Sequence, residues 1–166
     1  CAGGKTPWNT WLSCEEVDRG RVWECDPYGV KKAEIRSALG YFKHEAVTVD
    51  ELHQQLFLTE DEEDGNFYRF IPSNKLPNLD AGDLQVCELV QAADGYKVNW
   101  HRVPDSQATT TATRKQVPQA TIFNGGEGIQ WSNNHVYFTT KGDNRVWDYD
   151  TVEQTMSILY DIKTTD

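Results

Sequence analysis

Val136-Tyr137-Phe138-Thr139-Thr140, a short turn, then Asn144-Arg145-Val146-Trp147-Asp148-Tyr149-Asp150: two runs of alternating side chains joined across Lys141-Gly142-Asp143 read as a β-hairpin. The same unit occurs twice upstream. Trp11-Leu12-Ser13-Cys14-Glu15 is followed by Arg21-Val22-Trp23-Glu24-Cys25-Asp26, and Leu56-Phe57-Leu58-Thr59-Glu60 by Asn66-Phe67-Tyr68-Arg69-Phe70. An aromatic recurs in the second strand at Trp23, Tyr68 and Trp147, at intervals of 45 and 79 residues, near one and two periods of a propeller blade. A further blade is therefore expected to hold Leu84 to Val90 and Tyr96 to Val103. The chain reads as all-β, and hairpins of this kind suit a propeller and a β-sandwich alike. Two single helical turns are expected, at Glu34 to Leu39 and at Asp50 to Leu56. The polar, Thr-rich stretch within 104–120, flanked by Pro104 and Pro118, reads as a mobile loop or an insertion between blades.

The 166 residues suffice for one ordinary domain, and 38% hydrophobic with 25% charged residues is a globular composition. A formal net charge of -10 opposes binding to nucleic acid or to an anionic membrane surface and favours cations as partners. No apolar run is long enough for a membrane span. The sequence does not start with Met, which is expected of a mature, trimmed or partial product. Of the four cysteines, Cys14, Cys25 and Cys87 fall in apolar strand-like runs and read as free buried thiols, while Cys1 sits beside glycines.

Four stretches carry chemistry. In the opening run, Gly3 and Gly4 permit close backbone approach, Pro7 stops helix, and Thr10 to Cys14 forms a strand ending at Glu15-Glu16. Neighbouring strand residues face opposite ways, so one of those two carboxylates faces a given site. Gly40-Tyr41-Phe42-Lys43-His44-Glu45-Ala46 sets a cation, an imidazole and a carboxylate together, which by itself is also an ordinary solvated strand end. Thr59-Glu60-Asp61-Glu62-Glu63-Asp64-Gly65 is an acidic turn without the ligand spacing of an EF-hand. Glu60 and Asp61, at the strand end, are its candidates for facing a site. Asn124-Gly125-Gly126-Glu127-Gly128-Ile129 repeats the logic of glycines followed by one carboxylate entering a strand. Ala2-Gly3-Gly4-Lys5-Thr6 lacks the strand and helix of a P-loop, and His44, His53, His101 and His135 are too scattered for a nucleophilic triad.

Together these stretches resemble the PhoX-type alkaline phosphatases, through Cys-Ala-Gly-Gly, Trp-x-Thr-Trp and Cys-Glu-Glu at the start and Gly-x-Phe-Lys-His-Glu in the middle. The turn Thr139-Thr140-Lys141-Gly142-Asp143-Asn144 also resembles the family's. The resemblance implies a β-propeller larger than this chain builds, so residues 1–166 would form an incomplete propeller domain of three to four blades with exposed edge strands. It also implies an iron (Fe3+) and calcium cluster, with Cys1, Glu16, Glu45, Glu60, Asp61 and Glu127 as metal ligands and Lys43 and His44 in catalytic contact with phosphate or ligands. Small phosphate esters would be the substrates, and the location periplasmic or extracellular. One departure stands out. Where the family has an arginine two residues before the last glutamate, this sequence has Gly125, with Lys43, Lys141 and Arg145 as the cations left to replace it. That departure supports an alternative, a non-catalytic propeller binding calcium or a partner. The metal reading requires Cys1, Glu16, Glu45 and Glu127 to meet in one place.

Overall fold

The structure is a computed structural model, and it describes residues 1–164. Thirteen strands are formed among the described residues. The first blade is β1 (Gly3–Lys5), β2 (Trp11–Cys14), β3 (Val22–Cys25) and β4 (Glu34–Ile35), an antiparallel sheet in chain order. The second begins with β5 (His44–Asp50), β6 (Gln55–Glu60), β7 (Phe67–Pro72) and β8 (Gly82–Gln91), and the third is β10 (Gly126–Ser132), β11 (His135–Thr140), β12 (Arg145–Asp150) and β13 (Thr155–Asp161). Each blade's third strand carries the recurring aromatic, Trp23 on β3, Tyr68 on β7 and Trp147 on β12.

The expected blade at 84–103 is not a separate one. β8 pairs with β7 through Tyr68↔Val86 and Phe70↔Leu84, and β9 (Tyr96–Arg102) pairs with β8 through seven positions. These strands therefore extend the second blade outward. β9 then meets β13 at Met156↔Tyr96 and Thr155↔Lys97, so the second and third blades share one nine-stranded sheet. The 79-residue interval thus spans one blade plus an extra strand and a long connection.

Blades stack face to face because the middle one is apolar on both faces. Successive residues of β6 alternate: Leu56 and Leu58 enter a core with Leu12, Val22 and Leu39 of the first-blade side, while Phe57 enters a second core with Phe138, Trp147 and Tyr149 of the third blade. On β7, Tyr68 and Phe70 go one way and Phe67 the other. This is why β5 and β6 are buried along their whole length, and why the strict polar–apolar alternation of a one-faced strand is missing from them.

The first strands of the three blades, β1, β5 and β10, lie side by side at the inner edge. Close approach is secured by glycine at two points. A Cβ on Gly4 would overlap the Val47 carbonyl of β5, and one on Gly126 would lie 2.9 Å from the Glu60 carbonyl. Side chains also tie β10 to the middle blade: the Trp131 amide donates to Thr48 Oγ1 at 2.9 Å, and Thr59 Oγ1 donates to the Glu127 carbonyl at 2.6 Å. The β10–β11 connection is a tight hairpin through Asn133 and Asn134, both at positive φ, as such two-residue turns require.

The helical turn expected at Glu34 to Leu39 is a strand pair followed by a 3-10 turn at Ser37–Leu39. The one expected at Asp50 to Leu56 is a hairpin turn, in which Asp50 accepts from the His53 amide at 3.0 Å and from His53 Nδ1 at 2.8 Å. Segment 104–120 links β9 toward β10, and it is fastened by Thr113 Oγ1 to the Tyr41 carbonyl (2.9 Å) and by Arg114 to Asp64 (2.8 Å). All four cysteines are free thiols.

The first blade is locked by Glu24, which is nearly buried. Its carboxylate accepts from Trp8 Nε1, Thr10 Oγ1 and Arg36 Nε, each at 2.7 Å. Burial pulls this carboxyl upward, but the Trp8, Thr10 and Arg36 bonds outweigh it and leave the pKa below the ordinary 4.5. A depressed carboxylate pKa stabilises the fold above the unfolded-state value, and the gain is lost as pH falls through the folded-state value. Glu24→Gln is accordingly expected to cost about 2 kcal/mol at pH 7. The gap to wild type should close as the medium is acidified below pH 4, and urea titrations across that range check it. A gap independent of pH would refute the charged role.

Candidate functional site

Two inner strands, β5 and β10, and three connections, after β2, after β6 and between β11 and β12, deliver charge to one end of the blades. Glu15 and Glu16, which follow β2, diverge as adjacent extended residues must. Glu15 turns to Arg21 (2.9 Å) and Trp23 Nε1 (2.8 Å), whereas the Glu16 carboxyl ion-pairs with the Cys1 amino group, which also stands 3.1 Å from Glu45 Oε2. Glu45 is the second residue of β5, Asp61 follows β6, and Glu127 is the second residue of β10. Lys141, in the β11–β12 turn, bridges Asp61 Oδ1 at 2.6 Å and Glu127 Oε1 at 2.8 Å. Lys43 takes the other Asp61 oxygen at 3.2 Å. The result is a charged network in two parts, Glu16 and Glu45 joined by the Cys1 amino group and Asp61 and Glu127 joined by Lys141, with its members drawn from all three blades.

The electrostatics follow from burial and neighbours. Glu45 is buried, and burial followed by the Glu16 carboxyl raises its pKa above the ordinary value. Its Oε2 has no hydrogen bond of good geometry, although the amino group of Cys1 stands 3.1 Å away. Asp61 is equally buried, yet the Lys141 and Lys43 ammoniums overcome the upward pull of desolvation and hold it below the usual carboxylate range. Lys141 is held well above its own ordinary value by Asp61 and Glu127 in turn.

Other sequence candidates fall around this network rather than in it. Cys1 is the exception, its amino group ion-pairing with both Glu16 and Glu45, while its thiol donates to the Cys14 carbonyl at 3.4 Å. Glu60 points inward, opposite to Asp61. Its Oε2 accepts from Tyr68 Oη (2.7 Å) and from the Asn66 amide (3.0 Å), with Arg114 at 3.4 Å, and burial raises it to about 7. His44 is fully buried, its ring 3.6 Å from that of Phe42 and its Nε2 2.9 Å from the Gly40 carbonyl, to which it donates as the neutral imidazole. Burial lowers its pKa to about 4. Such a ring positions the strand that carries Lys43 and Glu45 and offers no exposed atom to a substrate.

A cavity of about 580 Å3 opens beside the network, lined by Lys43 and Lys141, by the acidic residues Asp61, Glu62, Glu63 and Asp64, and by Asn124, Gly125 and Gly142. A larger groove, about 1320 Å3, runs along β1, β5 and β10 past Trp131 and lacks such a convergence of carboxylates. Lys141 entered the sequence reading only as a substitute cation. Its membership of the network comes from the hairpin register Gly126↔Thr140, which lays the β11–β12 turn across the start of β10.

The fit to metal can be tested on these groups. Oxygen-rich carboxylates beside a thiol suit hard and borderline cations, and the buried Glu45 oxygen makes no hydrogen bond of good geometry, its one cationic neighbour being the Cys1 amino group at 3.1 Å. Among the described residues no three His, Cys, Asp or Glu side chains stand in ligating arrangement as they are. The reason is visible in the ion pairs, because ammonium groups occupy the spaces between the carboxylates.

The family model for the alkaline phosphatase PhoX matches residues 1–158. The chain belongs to the PhoX family. Among solved structures, PhoX of Pseudomonas fluorescens in complex with vanadate, a transition state analogue, matches at a TM-score of 0.62 and 19% identity. That likeness covers 88% of this chain and 38% of the solved one, so the present chain spans well under half of that PhoX, and at this identity it establishes the fold alone. No curated protein matches the chain.

Proposed function

We propose that the full-length protein is a metal-dependent phosphatase that hydrolyses small phosphate monoesters to an alcohol and inorganic phosphate. The observation that carries this reading is the placement of Glu16, Glu45, Asp61 and Glu127 from three blades about the Cys1 and Lys141 amino groups. Membership of the PhoX family supports it, and so does the acidic balance of the chain. Iron and calcium are the proposed cofactors, held through Glu45 and Glu16 with Cys1 beside them. When bound, such ions neutralise phosphoryl oxygens and lower the cost of generating a nucleophile from water. The protein's own part is electrostatic. Lys43, at the cavity wall and partly exposed, offers a positive charge to an incoming phosphate, while Phe42 and His44 form a packed support behind it. The site on this reading works in the periplasm or outside the cell, a placement that rests on the family resemblance.

Hydrolysis of p-nitrophenyl phosphate by the full-length protein tests the reading. Turnover that disappears with a chelator and returns with calcium and iron is expected. Calcium bound without turnover would favour the non-catalytic, calcium-binding propeller that Gly125 suggests, and absence of both metal and turnover would overturn the proposal.

A further inference from the structure

The connection that leads from β9 to β10 is tied to the acidic turn after β6 by more than its length requires. Arg114 is only 19% exposed and stands among three carboxylates of that one turn: its Nε is 2.8 Å from Asp64 Oδ1, its Nη1 3.4 Å from Oε1 of the fully buried Glu60, and its Nη2 3.9 Å from Glu62 Oε1. Lys115 adds a second ion pair to Asp64. Farther along, the Phe123 amide donates to the Gly65 carbonyl and the Gly125 amide to the Glu62 carbonyl, both at 2.8 Å. Glu60, Asp61, Glu62, Glu63 and Asp64 follow one another without a break and repel each other, so a cation set among them is what lets the turn keep its shape.

Fixing the turn fixes two lysines. Glu60 and Asp61 point opposite ways, so a Glu60 carboxylate held inward by Tyr68, the Asn66 amide and Arg114 keeps Asp61 toward the cavity. Asp61 is the residue that both lysines of the cavity share: its amide donates to the Lys43 carbonyl at 3.0 Å, and its two carboxylate oxygens take Lys43 at 3.2 Å and Lys141 at 2.6 Å. The connection also reaches the third blade, since the Lys141 amide donates to the Gly125 carbonyl at 2.9 Å and the Gly142 amide to the Asn124 carbonyl at 3.1 Å. The acidic turn, residues 124–125 and residues 141–142, which all line the cavity, therefore form one hydrogen-bonded collar.

We infer that Arg114 is a positioning residue: from behind the cavity wall it sets the acidic turn, and through Asp61 it holds the Lys43 and Lys141 ammoniums where an entering phosphate meets them. This rests on the phosphatase reading above and deepens it, by placing the control of substrate affinity in the connection between the second and third blades. Lysines held at a cavity wall attract the phosphate before reaction and during it alike, so their misplacement raises KM and leaves kcat nearly unchanged.

The test is p-nitrophenyl phosphate hydrolysis by the full-length wild type and variants, together with the rate at which acetic anhydride labels Lys43 and Lys141, read by mass spectrometry. Arg114→Gln should raise KM about tenfold with kcat within about threefold of wild type. Lys115→Gln removes the same charge from the next residue, whose side chain is 57% exposed, and should leave both constants within about twofold. Both lysines should be labelled several-fold faster in Arg114→Gln and at the wild-type rate in Lys115→Gln. Asp64→Asn, which takes away the anchor of the guanidinium and leaves Arg114 in place, should shift both readouts the same way by a smaller factor, and it decides the matter if a thermal melt shows Arg114→Gln unfolded. An unchanged KM, unchanged lysine labelling, or a Lys115→Gln effect as large as that of Arg114→Gln would overturn the positioning role and leave the phosphatase reading standing. If the wild type does not turn over, that reading falls, and the labelling rates alone uphold or refute the hold of Arg114 on the two lysines.

Discussion

Phe67→Ala is expected to lower the stability of the fold by about 3–5 kcal/mol, as deletion of a fully buried aromatic does. The ring is completely shielded from solvent and stacks on Phe138 of the third blade at a centroid separation of 4.3 Å. It also meets Phe57 at 5.8 Å, Trp100 at 5.6 Å, Phe123 at 6.0 Å and Tyr149 at 6.1 Å. Its contacts thus come from β6, β9, β11, β12 and the connection before β10, and no single neighbour can move in to fill the cavity without disturbing the others. Urea denaturation reads the cost. Leu159→Ala, at a residue 62% exposed on β13, serves as the comparison and should change stability by less than about 0.5 kcal/mol. A Phe67→Ala cost under about 1 kcal/mol would show that the second and third blades do not share a packed core.

Glu45→Gln should weaken calcium binding by about 100-fold or more, beyond the 10–100-fold typical of residues that only support a ligand. Loss of metal-dependent hydrolysis should accompany it. The amide keeps the shape of the side chain and removes the charge that burial already disfavours. For that reason the metal-free variant should be at least as stable as metal-free wild type. The two readouts separate the roles: weakened calcium with unimpaired folding fits a ligand, whereas a destabilised fold with calcium affinity intact would sink the assignment and make Glu45 a structural group.

The blade pattern was legible because it is local. Trp23, Tyr68 and Trp147 mark equivalent strands, and an alternating hairpin needs little beyond its own turn to form. The strand at Tyr96 to Val103 was also legible, but its place in the second blade's sheet was not, since a pairing such as Tyr96 with Met156 is set by packing between residues 60 apart in the chain and leaves no periodic trace. At the site, the divergence of Glu15 from Glu16 followed from strand geometry, and the same rule separates Glu60 from Asp61, which the sequence had grouped together. The burial of His44 could not be read from Lys43-His44-Glu45, because a charged triplet at a strand end looks solvated until a second blade covers it. Lys141 was visible as a cation, but its contact with Glu127 depends on a hairpin register that carries no sequence mark.

The ladder between β9 and β13 fastens the second and third blades at their outer rim, while the first blade meets its neighbour through the shared core about Leu12, Val22 and Leu56 and through backbone bonds such as the Ala2 amide to the Glu45 carbonyl, with no strand ladder between them. A hoop of this kind forbids those two blades from pivoting apart. Relative motion at the carboxylate end is thereby directed to the seam along Gly4 and Val47, so Glu16 travels with one jaw, while Glu45, Asp61 and Glu127 ride together on the other.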